Sequence, residues 1–216
     1  DWSGYSDFLN IKTAFLGVHT AESTAEVEFA TSHKVREALR WANSRDNEWL
    51  MVLSFNAPHT PLQVPEKYYQ LYKDIDPTSG FNKDNKLFEK MTERDKEDAR
   101  KVYAMVSNID DNIGKLLKEL DDLNIADNTL IIFMTDNGPQ QTRYVSDMRG
   151  LKGNVYQGGV RVPFYIKYPS SFKKNKDIET MAAHIDILPT LAQVCNVKLP
   201  KERIIDGRSL LPLIKG

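Results

Sequence analysis

Thr129-Leu130-Ile131-Ile132-Phe133-Met134-Thr135 is an unbroken apolar, β-branched run, the pattern of a strand covered on both faces. What precedes it supplies the cover. Residues 93–123 read as one long helix. Thr92 and Asp95 have capping-box spacing, and Ala99, Val102, Val106, Ile109, Ile113, Leu116, Leu117 and Leu120 form one apolar stripe. Residues 124–128 then turn the chain into the apolar run. A second run, Glu48 to Phe55, reads as a buried strand stopped by Pro58 and Pro61. Val160 to Tyr168 offers a third strand. Residues 32–44, 65–72 and 186–194 are predicted helices, with Ser32 as a cap of the first and Pro189 in the first turn of the last. Residues 73–91 read as a solvated loop, and the first thirty as irregular. Helices alternating with doubly covered strands predict an α/β fold with a mostly parallel sheet.

In such sheets ligands sit beyond the carboxyl ends of strands, so the segments after Phe55 and Thr135 matter most. The first is Asn56-Ala57-Pro58-His59-Thr60-Pro61-Leu62. His59 suits proton transfer or anion contact near neutral pH; the alternative is a loop histidine with a satisfied hydrogen bond. The second is Asp136-Asn137-Gly138. A carboxylate beside an amide oxygen is a fragment of a calcium or magnesium site, and Asn-Gly is equally a hairpin turn. A tight hairpin should lead promptly into another strand, whereas Pro139 to Gly159 is a long loop with four glycines.

That loop is basic. From Pro139 to Arg161 the cations Arg143, Arg149, Lys152 and Arg161 stand against one acid, Asp147, a local excess of +3 in a chain whose net charge is -1. Near-neutral net charge gives no support for bulk binding to nucleic acid or an anionic membrane. No apolar run approaches the ~20 residues of a membrane helix. Lys152 lies between Gly150 and Gly153, where backbone can approach a sulfate or phosphate closely. A hard cation, an anion-binding lysine and a histidine together suit hydrolysis of a charged ester. The one cysteine, Cys195, reads as a small buried thiol on the apolar side of a helix.

Six segments carry a resemblance. They are Ser54 to Leu62, Thr129 to Gly138, Arg149 to Gly153, Tyr156 to Pro163, His184 to Leu191 and Asp206 to Leu213. In this order the chain resembles the formylglycine-dependent sulfatases (arylsulfatase-like) of the alkaline phosphatase superfamily over roughly residues 32–216. The resemblance implies part of an alkaline-phosphatase-like mixed, mostly parallel sheet flanked by helices. It implies Asp136 and Asn137 as ligands of a Ca2+ ion, with Mg2+ an alternative. Lys152 would bind the sulfate, and His59 would bind it and assist leaving-group departure. Arg161 and Pro163 would shape the basic loop.

The family's nucleophile arises from Cys/Ser-x-Pro/Ala-x-Arg, which no segment here matches; Cys195 is followed by Asn196-Val197-Lys198-Leu199. Asp110-Asp111 and Asp121-Asp122 read as a solvated helix face rather than metal ligands. Residues 1–216 are therefore expected to be the central to C-terminal part of a sulfatase catalytic domain. Residues 1–31 are unassigned, and the formylglycine is expected upstream. The implied substrate is a sulfated small molecule or glycan, with a carbohydrate sulfate favoured. A phosphate or phosphonate ester, or non-catalytic binding of an anionic glycan, are the alternatives. The start Asp1-Trp2-Ser3-Gly4 lacks signal-peptide character; the family resemblance implies a periplasmic, extracellular or lysosomal protein.

Overall fold

A computed structural model describes residues 12–18 (backbone only), 35–41, 43–44, 48–80 and 91–216. Strand β1 (Lys12–Val18) pairs in parallel with β2 (Trp49–Phe55) in the register Lys12↔Trp49 to Val18↔Phe55. β1 lies in the segment read as irregular. Its apolar stretch Ala14-Phe15-Leu16 is short and is interrupted by Gly17 before Val18, and its partner is remote in sequence. The helix predicted over 32–44 is seen at 35–41, while Ser32 and Ala42 lie outside the described residues.

After β2 come α1 (Glu66–Tyr69) and the long helix α2 (Glu93–Asp122). The cap of α2 forms as expected. Asp95 N–H donates to Thr92 Oγ1 at 3.1 Å, and Thr92 N–H donates to Asp95 Oδ2 at 2.9 Å; such a cap contributes about 1 kcal/mol. The buried stripe starts at Ala99 and Val102 but continues through Met105, leaving Val106 exposed. Val102, Ala104, Met105 and Val106 make the apolar face broad here, and sequence alone does not choose between two neighbours. Tyr68 on α1 donates to Asp111 on α2 at 2.7 Å. Asp110, Asp111, Asp121 and Asp122 are all exposed.

β3 (Ile131–Met134) pairs antiparallel with β4 (Phe164–Lys167), so the described pairing is mixed, one parallel and one antiparallel. The short helix α3 (Gln157–Val160) takes the start of the segment expected as strand. α4 (Ile187–Val194) and α5 (Leu211–Lys215) close the chain. Two cores form. The first joins Val35, Leu39 and Leu120 to Trp49, Met51 and Leu53 of β2 and to Ile131. The second joins Phe172, Leu210 and Ile214 to Leu130, Ile166 and Val194. The apolar run thus meets a core on each face at Leu130 and Ile131, but Met134 at its end is exposed. β2 was expected to be buried throughout. Only its Trp49-Met51-Leu53 face packs, and Val52 and Ser54 are exposed, as the two-residue side-chain period dictates.

Cys195 corrects another expectation. It caps the C-terminus of α4 and is exposed, because the helix ends at Val194 and Asn196 turns the chain at a φ of 54°. Arg40 Nε donates at 2.7 Å to the buried carboxylate of Glu119, joining residues 35–41 to α2. No helix among the described residues is long and apolar enough to cross a membrane.

Asp186 joins the turn that opens α4 to the segment before α5. Its buried carboxylate accepts from Ala183 N–H and Arg208 N–H, each at 2.8 Å. These amides, Arg208's first, hold the carboxyl below the ordinary aspartate range. Asp186→Ala strands both donors and is expected to lower unfolding free energy by about 2–4 kcal/mol in urea melts at pH 7. Because the folded-state pKa is depressed, the stabilisation is present above about pH 4 and is lost as pH falls through the folded pKa. The gap between wild type and variant should therefore shrink in melts on the acid side of that point.

Candidate active site

The strand β3 ends in Thr135, and the next residues, Asp136 and Asn137, are exposed and half-buried respectively. Asn137 Nδ2 donates to Gly138 O at 2.8 Å, which fixes the amide and leaves its oxygen free to serve a cation. His184 Nε2–H donates to Thr135 O at 2.8 Å. The residue before the Asp136–Asn137 pair is thereby held from the side of α4. Sequence reasoning named His184 only within a motif; a polar residue opening the 184–194 helical segment was the available signal.

The long loop folds back on this strand end through backbone alone. Gly138 N–H donates to Gly159 O at 2.8 Å, Lys152 N–H to Pro139 O at 2.8 Å, and Gly158 N–H to Arg149 O at 2.7 Å. These approaches exclude side chains. A Cβ on Gly138 would lie 1.9 Å from Gly158 O, and one on Gly158 would lie 2.2 Å from Gly150 O. Gly150 and Gly153, which flank the Leu151-Lys152 pair, sit at φ 99° and 85°, a region L-residues avoid. The Arg149 guanidinium stacks over Tyr156 at 4.0 Å. Lys152 is exposed, and its ammonium has no partner among the described residues. Arg161 and Pro163 are exposed and follow α3.

The structure therefore brings Asp136, Asn137 and the backbone of Lys152 into one knitted loop cluster. His59 stands on the other expected segment, after β2. It is exposed; its Nδ1–H donates to Thr60 O at 2.7 Å, and its backbone N–H donates to Asn56 O at 2.9 Å. With the proton on Nδ1, Nε2 is the nitrogen left for chemistry. Pro58 and Pro61 beside it both follow cis peptide bonds.

The two segments meet one helix. Tyr72, in the turns after α1, packs its ring 5.9 Å from that of Tyr103 on α2, and the backbone of Tyr144 in the basic loop acts on the Tyr103 phenol from the other segment. Burial pushes the Tyr103 phenol above its ordinary range. Arg143, beside it, is half-buried and was singled out from sequence only as one of four loop cations.

For a divalent cation, Asp136 and Asn137 supply the oxygen donors that calcium and magnesium take. Among the described residues no group of three or more His, Cys, Asp or Glu is placed to hold a metal ion. The pair fits as part of a donor set.

Residues 29–197 match the Sulfatase family. The ulvan-active sulfatase of Formosa agariphila is 35% identical over 176 residues, covering 79% of this chain and 32% of that protein. The arylsulfatase of Clostridium perfringens is 30% identical over 210 residues, covering 86% and 42%. The crystal structure of Ps i-CgsB in complex with k-i-k-neocarrahexaose superposes with a TM-score of 0.72 at 27% identity, covering 90% and 40%. The chain thus spans 32% to 42% of the length of these three relatives.

The glycine contacts give a direct test. Gly138→Ala and Gly158→Ala are each expected to release the loop and cost about 1–3 kcal/mol. Limited trypsin digestion should then cut faster at Arg149 and Lys152. Gly114→Ala on α2 is the control: nothing lies within 4 Å of its added methyl, and it should be neutral or stabilise by about 0.5–1 kcal/mol.

Proposed function

The chain belongs to the sulfatase family, and on that premise we propose that it is part of an enzyme that hydrolyses the sulfate ester of a glycan. The observation that carries this reading is the backbone knitting of the basic loop onto the end of β3. It holds an exposed lysine, without a partner among the described residues, on the same backbone-bonded cluster as two hard-cation donors. The names of the relatives, one ulvan-active and one bound to neocarrahexaose, support a carbohydrate sulfate.

In this reading Lys152 contacts the sulfate and offsets negative charge that grows as the S–O bond breaks. His59, its ring held through Nδ1–H by Thr60 O, acts in its doubly protonated form: Nε2–H gives its proton to the departing alcohol oxygen and the ring is left as the neutral Nδ1–H tautomer. Asp136 and Asn137 would hold calcium, or magnesium, through oxygen, and such an ion supplies Lewis-acid polarisation of the sulfate. The attacking group is assigned to a formylglycine outside this chain, since no segment here carries Cys/Ser-x-Pro/Ala-x-Arg. His59 and Lys152 then serve leaving-group departure and charge stabilisation, not attack.

The test is sulfate release by the intact protein from aryl and carbohydrate sulfates, beside matched phosphate and phosphonate esters. Lys152→Ala and His59→Ala should each lower kcat by about 100- to 1,000-fold with folding retained. No release from any sulfate, or faster turnover of a phosphate or phosphonate ester, overturns the assignment. Glycan binding without turnover would indicate a non-catalytic role. The 216-residue chain is expected to show no turnover by itself, and sulfatase activity in the mass-verified chain would refute that expectation.

A further inference from the structure

Arg143 differs from the other three cations of the basic loop. Arg149, Lys152 and Arg161 are exposed, whereas Arg143 is half-buried. Its Nη1 donates to Gln141 Oε1 at 3.2 Å, and among the described residues no carboxylate pairs with it. Burial pushes its guanidinium below the ordinary arginine range, with Tyr103 acting the other way. Arginine stays charged even so, and a partly buried cation with no carboxylate partner among the described residues is costly. One glutamine oxygen satisfies only part of a planar fork built for bidentate anions.

Its position is also specific. Arg143 lies in sequence between the Asp136–Asn137 pair and Lys152. The backbone of the next residue, Tyr144, acts on the phenol of Tyr103, and so does the Arg143 charge. The ring of Tyr103 packs on Tyr72, in the segment that runs on from His59. One tyrosine of α2 thus anchors both the stretch carrying Arg143 and the segment downstream of His59. This sets Arg143 beside the α2 tyrosine on which Tyr72 also packs.

We propose that Arg143 is a specificity-determining residue that binds a second anionic group of the substrate, a sulfate or carboxylate other than the ester being cleaved. The inference rests on the sulfatase reading above. The cost of the unpaired cation is relieved when that anion arrives. A substrate with a single anionic group gains nothing from it. Gln141 and Tyr103 act as positioning residues, holding the fork in one orientation.

The experiment compares the intact wild-type protein with Arg143→Met and Arg143→Lys on three kinds of substrate. These are an aryl sulfate with one anionic group, a disulfated disaccharide, and a sulfated disaccharide bearing a uronate. Arg143→Met should raise KM about 10- to 100-fold for at least one of the two dianionic sugars. kcat should stay within about two-fold, and aryl sulfate kinetics should be unchanged. Which sugar responds identifies the second anion as sulfate or carboxylate. Arg143→Lys, which keeps charge without the fork, should lie between and covers the case in which the Met variant does not fold.

Equal changes on all three substrates, or none, overturn the proposal; no change is the outcome if the arginine merely lays its stem on the protein and its head in water. Calorimetry of the disaccharides against wild type and variant, read without turnover, separates this inference from the sulfatase reading. Loss of affinity in Arg143→Met supports the anion site even if no ester is cleaved. Unchanged affinity refutes it even if the protein proves to be a sulfatase.

Discussion

Two adjacent side chains, Leu130 and Ile131, point to opposite faces of the apolar run, and each belongs to a different core. The rest of the arrangement depends on this. The first core fixes the run against α2 and β2, and the second fixes it against β4, α4 and α5. A segment gripped from both sides cannot shift by one residue without exchanging its two faces. Its end, where Asp136 and Asn137 sit, therefore has a defined position. Both remain accessible because the apolar packing fades toward Met134.

The sequence was informative where a local rule operates. The Thr92–Asp95 cap, the helix behind it and the polar residues at the ends of two strands need only near neighbours to be read. It failed where distant chain decides. β1 is a strand because β2 lies beside it, and the antiparallel partner of β3 depends on how the long loop returns. Met105 displaced Val106 from the buried stripe by packing, not by period. Cys195, read as a buried thiol on the apolar side of a helix, is exposed because the chain turns away just past Val194. Of the site, residue types and their order were legible. The glycine contacts at 138 and 158 were visible only as letters in a motif, since close backbone approach leaves no side-chain signature.

The site residues are supported in two unlike ways. Around Asp136, Asn137 and Lys152 the support is peptide groups bonded across glycines, which fixes the backbone and leaves the side chains free to meet a ligand. At His59 a neighbouring carbonyl sets the ring tautomer directly. The first device tolerates no added methyl. The second is local to Asn56–Thr60 and needs no remote partner. Asp186, by contrast, works entirely through its side chain, binding amides from segments that are far apart in sequence.

The bond from Lys152 N–H to Pro139 O has an architectural consequence. It closes the intervening stretch into a ring whose neck is backbone and whose interior contains Arg143. Closing a somewhat longer ring adds little entropy cost. Residues 140–148 inside it make none of the neck bonds and can be exchanged, inserted or deleted while the neck, with Arg149 and Gly150, keeps the lysine and the cation donors in register. The molecule thus separates a fixed chemical frame from an interchangeable cassette, and selection can retune what the frame acts upon without rebuilding how it acts.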